Sequence, residues 1–150
     1  MITRTFVALA LLVQLAPGAA VTQTGIDSSA LMDTVRALAA PEMEGRRSGT
    51  AGGRKARDGV QPRSAKIGLP PAAKTYLLPF RFTAKGATIE GANIASLCRG
   101  TRASNRAFVV SAHYDHLGVV DGKTYFGADD NASGIAVLLE LARLCHERPF

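Results

Sequence analysis

The string Gly127-Ala128-Asp129-Asp130-Asn131-Ala132-Ser133-Gly134 limits what this chain can become more than any other stretch. It sets two acids and an amide between glycines, just ahead of Ile135, Leu138, Leu139, Ala142 and Cys145, which mark one face of a helix over residues 132–147. Asp and Asn cap helices, and acidic side chains suit the positive end of a helix dipole. Capping accounts for one or two of those polar residues. It leaves unexplained why so tight a turn follows a second unusual segment, Ser111-Ala112-His113-Tyr114-Asp115-His116-Leu117-Gly118. That segment closes residues 107–112 (AFVVSA), a short apolar run that reads as a buried strand. In open α/β sheets, ligands bind at the carboxyl ends of the strands.

The chemistry of these side chains points to a metal. A neutral His113 imidazole suits zinc, and Asp115 is placed to accept the proton on its other nitrogen, which fixes the tautomer and raises ligand basicity. A carboxylate has two oxygens, so a single Asp can bridge two ions about 3.5–4 Å apart. His-x-Asp-His by itself is also a common turn. The pair of segments carries the metal reading, and neither does so alone.

Together they resemble the co-catalytic zinc exopeptidases that include bacterial leucyl aminopeptidase, aminopeptidase Y and glutamate carboxypeptidase. The resemblance reaches upstream, where residues 39–50 (AAPEMEGRRSGT) look like that family's leading helix end and Gly-Arg turn, and Gly91-Ala92-Asn93-Ile94 like its Asn-bearing strand. It implies an α/β fold, a three-layer sandwich with a mixed central sheet, of which this chain holds the N-terminal part. Position by position it implies that His113 is the terminal ligand of one zinc and Asp130 the bridging ligand. Asp115 becomes the partner behind the histidine, and a cis peptide falls at Asp130-Asn131. It gives His116, Asp129 and Asn131 no direct metal role, and His146 reads as a surface residue or a partner of its helix dipole.

The resemblance also implies an adjacent Glu-Glu pair, one of them the general base, and a further Asp and His, two zinc ions in all. Glu140 and Glu147 lie on the helix and match neither glutamate. The expectation is therefore a zinc aminopeptidase, acting on the N-terminal residues of peptides, recorded here as a fragment that is inactive alone and binds zinc weakly. A single-zinc glutaminyl cyclase, a transferase, and a non-catalytic metal-binding fragment remain alternatives. Substrate side-chain preference and oligomeric state are not legible.

The N-terminus reads as a signal for export. Arg4 precedes an apolar run over residues 6–15 (FVALALLVQL), and small residues at 16–20 offer a cleavage site after Ala20. The run is about half the length of a membrane span, so no stable membrane anchor is expected. Residues 21–150 then form one domain, secreted or periplasmic. The net charge is +6, with Arg46, Arg47, Arg54, Lys55, Arg57, Arg63 and Lys66 concentrated together. No aromatic residue interleaves them, so they read as a solvated helix face, and no nucleic-acid partner is expected. Cys98 and Cys145 fit no zinc spacing and read as small buried apolar residues, although export permits a disulfide.

Local patterns fill in the rest. Asp27 or Ser28 caps a first helix carrying Leu31, Met32, Val35 and Leu38, which Pro41 ends. Ser48 or Thr50 caps a second, running to Ile67 before Gly68 and Pro70. Gly52, Gly53 and Gly59 weaken that helix, and Pro62 predicts a break near Gln61. Residues 76–82 (YLLPFRF) read as an edge strand, and residues 92–98 as its partner after a turn at Gly86.

Overall fold

The structure is a computed structural model that describes residues 25–149. The expected signal segment, residues 1–20, lies outside the described residues. Three helices, α1 (Ser28–Leu38), α2 (Ala51–Ile67) and α3 (Ser133–Glu147), pack against one another, with α1 and α2 both resting on α3. Two antiparallel hairpins accompany them. One pairs β1 (Leu77–Ala84) with β2 (Ala87–Ile94), the other β3 (Gly118–Val120) with β4 (Lys123–Tyr125). No described helix is long and apolar enough to cross a membrane.

Helix α1 begins where the Asp27 side chain accepts from Ala30 N at 3.0 Å. Its Leu38 is buried with Ala56 and Val60 of α2 and Ala132 and Ile135 at the start of α3. Burying a leucine of this kind stabilises the fold by about 2 kcal/mol. Val35, Met43, Ile94, Ala112 and Tyr114 close the rim of that cluster. The core therefore sits directly beneath the two segments singled out in the sequence.

A 3-10 turn, Pro41–Arg46, links α1 to α2. Thr50 caps α2, accepting from Gly53 N at 3.2 Å, and Gly68 ends it in a left-handed conformation with φ 90°. The break expected near Gln61 is absent, and α2 runs through Pro62. Pro62 and Asp58 both lie on the exposed side, so the carbonyl that loses its N–H partner faces water. The glycines at the other end of α2 have a steric purpose. A Cβ on Gly52 would overlap the Met43 carbonyl oxygen, and one on Gly53 the Arg47 oxygen, so only glycine lets the helix sit this close to the turn.

Both hairpins close with two-residue turns in which both residues have positive φ, Lys85-Gly86 and Asp121-Gly122. That geometry matches the twist of paired strands. The return strand begins at Ala87 and stops at Ile94, earlier than residues 92–98, because the tight turn sets the register Ala84↔Ala87 through Leu77↔Ile94. The β3–β4 hairpin falls where the sequence reads as a loop, although its Asp121-Gly122 pair is a hairpin-turn signal.

Residues 107–112 are not a paired strand. Phe108 is 100 % exposed and Val109 89 %, and this run joins neither sheet. β-branched composition favours a pleated surface, but a strand exists only against a partner, and the described residues present none here. Cys98 and Cys145 are not free thiols either. They form a disulfide that ties the chain after β2 to the end of α3, with their Cα atoms 6.3 Å apart.

Candidate metal centre

Arg46 builds the floor of the site. It belongs to the basic cluster expected on a solvated face, yet it is completely buried. Its guanidinium donates from Nε to the Tyr114 carbonyl (2.8 Å) and from Nη1 to those of Leu38 (2.6 Å) and Phe126 (2.5 Å). Nη2 donates to the Gly127 carbonyl at 2.8 Å. One planar fork thus joins the end of α1, the His113–His116 loop and the chain entering the acidic turn. A buried charge is tolerable only when its donors are satisfied in this way. Burial pulls the guanidinium below its ordinary pKa, while the negative charges of Asp115 and Asp130 oppose that shift. Gly45 makes room for the arrangement, since a Cβ there would lie 2.5 Å from the Tyr125 oxygen and 2.6 Å from that of Gly118. The other basic residues behave as a surface, with Lys55 paired to Glu44 and Arg57 to Asp58.

Above that floor stand His113 and Asp130. His113 Nε2 lies 3.1 Å from Asp130 Oδ1. On the other edge of the ring, Nδ1 is 3.0 Å from the Asp115 backbone oxygen and 3.5 Å from its Oδ1. Asp115 Oδ2 accepts from the Ser48 hydroxyl at 2.7 Å. His116, which the sequence reading left without a part in the site, brings Nδ1 to 3.4 Å from Asp130 Oδ2. Nothing in its position after Asp115 reveals this. The loop's path over Arg46 turns His116 inward, and its backbone N–H donates to the Arg46 oxygen at 3.2 Å.

The Asp130-Asn131 peptide bond is cis. The neighbours of Asp130 serve α3. Asn131 Oδ1 accepts from Gly134 N at 3.1 Å, and Ser133 Oγ donates to the Asp129 oxygen at 2.8 Å. Behind the loop, the Tyr114 hydroxyl donates to the Ala92 oxygen at 2.6 Å, and burial pushes its phenol up in pKa. This bond ties the loop to β2. His146 is exposed and lies against Gly68 at the other end of the fold.

The arrangement fits a zinc site in part. A ring that donates from Nδ1 to the Asp115 oxygen would leave the Nε2 lone pair for a cation. That lone pair points at a carboxylate oxygen, so a proton or a cation has to lie between them. Two donors on one tetrahedral zinc sit roughly 3.3 Å apart given ordinary Zn–N and Zn–O lengths, close to the spacing of His113 Nε2 and Asp130 Oδ1. Among the described residues, no group of three or more His, Cys, Asp or Glu side chains is placed to hold an ion. His113 and Asp130 bring two possible donors together, fewer than a zinc site needs.

A family match covers the segment that carries His113, Asp115 and Asp130. Residues 93–150 match the model of Peptidase family M28. The chain is 61% identical over 36 residues to the BOS complex subunit ncln of Danio rerio, covering 24% of this chain and 6% of that protein. It is 56% identical over 43 residues to the uncharacterized protein YfbL of Escherichia coli (strain K12), 27% of this chain and 13% of that one. A probable zinc metalloprotease of Pyricularia oryzae is 41% identical over 56 residues, 35% of this chain and 11% of its own length. The matches thus span only a small part of these curated relatives. No solved structure matches the chain. The family match over the segment that carries His113, Asp115 and Asp130, together with the zinc metalloprotease relative, supports the M28 zinc peptidase family.

Proposed function

We propose that this chain contributes to a zinc aminopeptidase centre, with His113 as a terminal ligand and Asp130 as the carboxylate between two ions. One observation supports this above the rest. One histidine nitrogen faces a carboxylate oxygen at 3.1 Å while the other lies against the Asp115 backbone oxygen at 3.0 Å. Zinc supplies Lewis-acid polarisation of a peptide carbonyl and activation of water in sites of this class. The chain's own residues bind and orient. His113 and Asp130 offer donors, the Asp115 backbone oxygen lies against His113 Nδ1, and Arg46 fixes the backbone beneath both segments.

The same reading extends to a peptide substrate, to the three-layer α/β fold, and to export through residues 1–20. N-terminal sequencing of the exported product checks cleavage after Ala20.

Zinc titration of the chelator-stripped chain tests the centre. The expected result is weak binding that His113→Ala and Asp130→Asn each abolish, with no chelator-sensitive turnover of an aminoacyl substrate. Zinc binding that survives both substitutions unchanged would sink the assignment.

A further inference from the structure

We propose that residues 107–112 are an interaction edge that pairs antiparallel with the same run of a second copy of this chain, about a two-fold axis at Val109. The inference does not rest on the zinc reading.

The backbone of this run is suited to pairing. From residue 106 to residue 117 the chain makes no turn or bend, and no residue of 107–112 has a positive φ. Among the described residues, no hydrogen bond reaches the backbone N–H and C=O groups of 107–112, and the run joins neither sheet. An unpaired row of such groups invites a further strand. The side chains point the same way. Phe108, Val109 and Val110 are exposed, and the groove between this run and α3 adds Val137 and Leu141, which are exposed as well. Exposed Phe80 and Phe82 differ, because they sit on β1, which already has β2 as its partner.

Two features select a second copy as the occupant. The first is charge. Arg99, Arg102 and Arg106 lead into the run, all of them exposed, while Asp115 follows it and Asp130 lies against His113 at the same end. An antiparallel pair sets the basic end of each copy beside the acidic end of the other. A parallel pair would set like against like, which destabilises. The second feature is self-complementarity. With Val109 opposite itself, Phe108 of each copy faces Val110 of the other, an aromatic and β-branched pair made twice. That register brings each phenyl ring to the mouth of the groove that Val110 shares with Val137 and Leu141. Five apolar side chains per copy make a small interface, so the expected dissociation constant is on the order of tens of micromolar.

Sedimentation velocity of the full chain over a range of concentrations tests the pairing. The expected result is a monomer–dimer equilibrium that Val109→Pro and Phe108→Asp each weaken by about tenfold or more. Phe82→Asp, outside the edge, should leave it unchanged. Arg102→Glu with Arg106→Glu should weaken it about three- to tenfold, although lowering the positive charge of the chain favours non-specific association. Amide exchange on the wild-type chain needs no variant. Every second amide of 107–112 should exchange more slowly at high concentration than at low, as one edge of an antiparallel strand requires. A chain that stays monomeric at about 1 mM, or that grows into open-ended particles, would overturn the proposal. So would tighter association of the double glutamate variant, or an equal loss on Phe82→Asp. Protection of 107–112 that does not depend on concentration would assign the edge to a segment of the same chain and overturn the dimer.

Discussion

Arg46 and Phe108 invert what their chemistry leads one to expect. The arginine is fully buried, and the phenylalanine is 100 % exposed. The difference lies in partners. Arg46 meets four carbonyl oxygens from three separate stretches of chain, so its desolvation is offset by charge-assisted hydrogen bonds. Phe108 and Val109 have the composition of a core strand but no sheet to join among the described residues. Hydrophobicity states a preference for burial. Geometry decides whether that preference is met.

The sharpest way to break this contrast is to remove the buried fork. Arg46→Met should cost about 3–5 kcal/mol by leaving carbonyls unsatisfied, measured by urea unfolding. Arg46→Lys should recover little of it, since a single ammonium cannot serve oxygens spread across a planar fork. Stability within 1 kcal/mol of wild type in both would mean that the floor of the site does not depend on Arg46.

Next in size is the covalent tie. Reducing Cys98–Cys145, or replacing both by serine, frees a loop of sequence separation 47 that carries residues 107–132. The expected loss is about 2–4 kcal/mol, read as a lower melting temperature with reductant and no further change in the double-serine variant. The close approach of α2 comes third. Gly52→Ala sets a methyl group against the Met43 carbonyl and should cost about 1–3 kcal/mol. A neutral result would show that the turn can retreat.

A pH effect sharpens the comparison from the acidic side. Glu140 is buried, accepts from Arg143 Nε at 2.9 Å and from Asp27 N at 2.8 Å, and its carboxyl is held below the usual range, chiefly by the Arg143 hydrogen bonds. A depressed folded-state pKa means that this stabilisation is fully present above the ordinary carboxylate pKa. It is lost as pH falls through the lower, folded value. Glu140→Gln should therefore be less stable than wild type at neutral pH, and the gap should close in acid. The smallest effect belongs to the exposed run. Phe108→Lys should change unfolding free energy by less than about 0.5 kcal/mol while reducing light scattering at high concentration. A large loss would show that Phe108 is packed after all.

Local signals were legible because they depend on neighbours in sequence. Asp27 and Thr50 cap their helices, Gly68 ends α2 and Gly86 turns the first hairpin, all from side-chain and backbone preferences that act within a few residues. The second hairpin was missed, although Asp121-Gly122 is a local turn signal of the same kind. Pro62 misled because the cost of a helical proline depends on which side of the helix the orphaned carbonyl faces.

For the site, the sequence pointed to His113 and Asp130 as metal donors, with Asp115 behind the histidine, through a family resemblance, and to Gly127 to Gly134 as the opening of a helix, since chemistry and capping are properties of the residues themselves. Only the tertiary structure decided that Arg46 is a buried strut, that Ser48 reaches Asp115 and that His116 faces Asp130. It also decided that Cys98 meets Cys145. Each of these is a contact between residues far apart in the chain. No local preference encodes such a contact, because it exists only once the helices have packed and brought distant stretches of backbone to a common point.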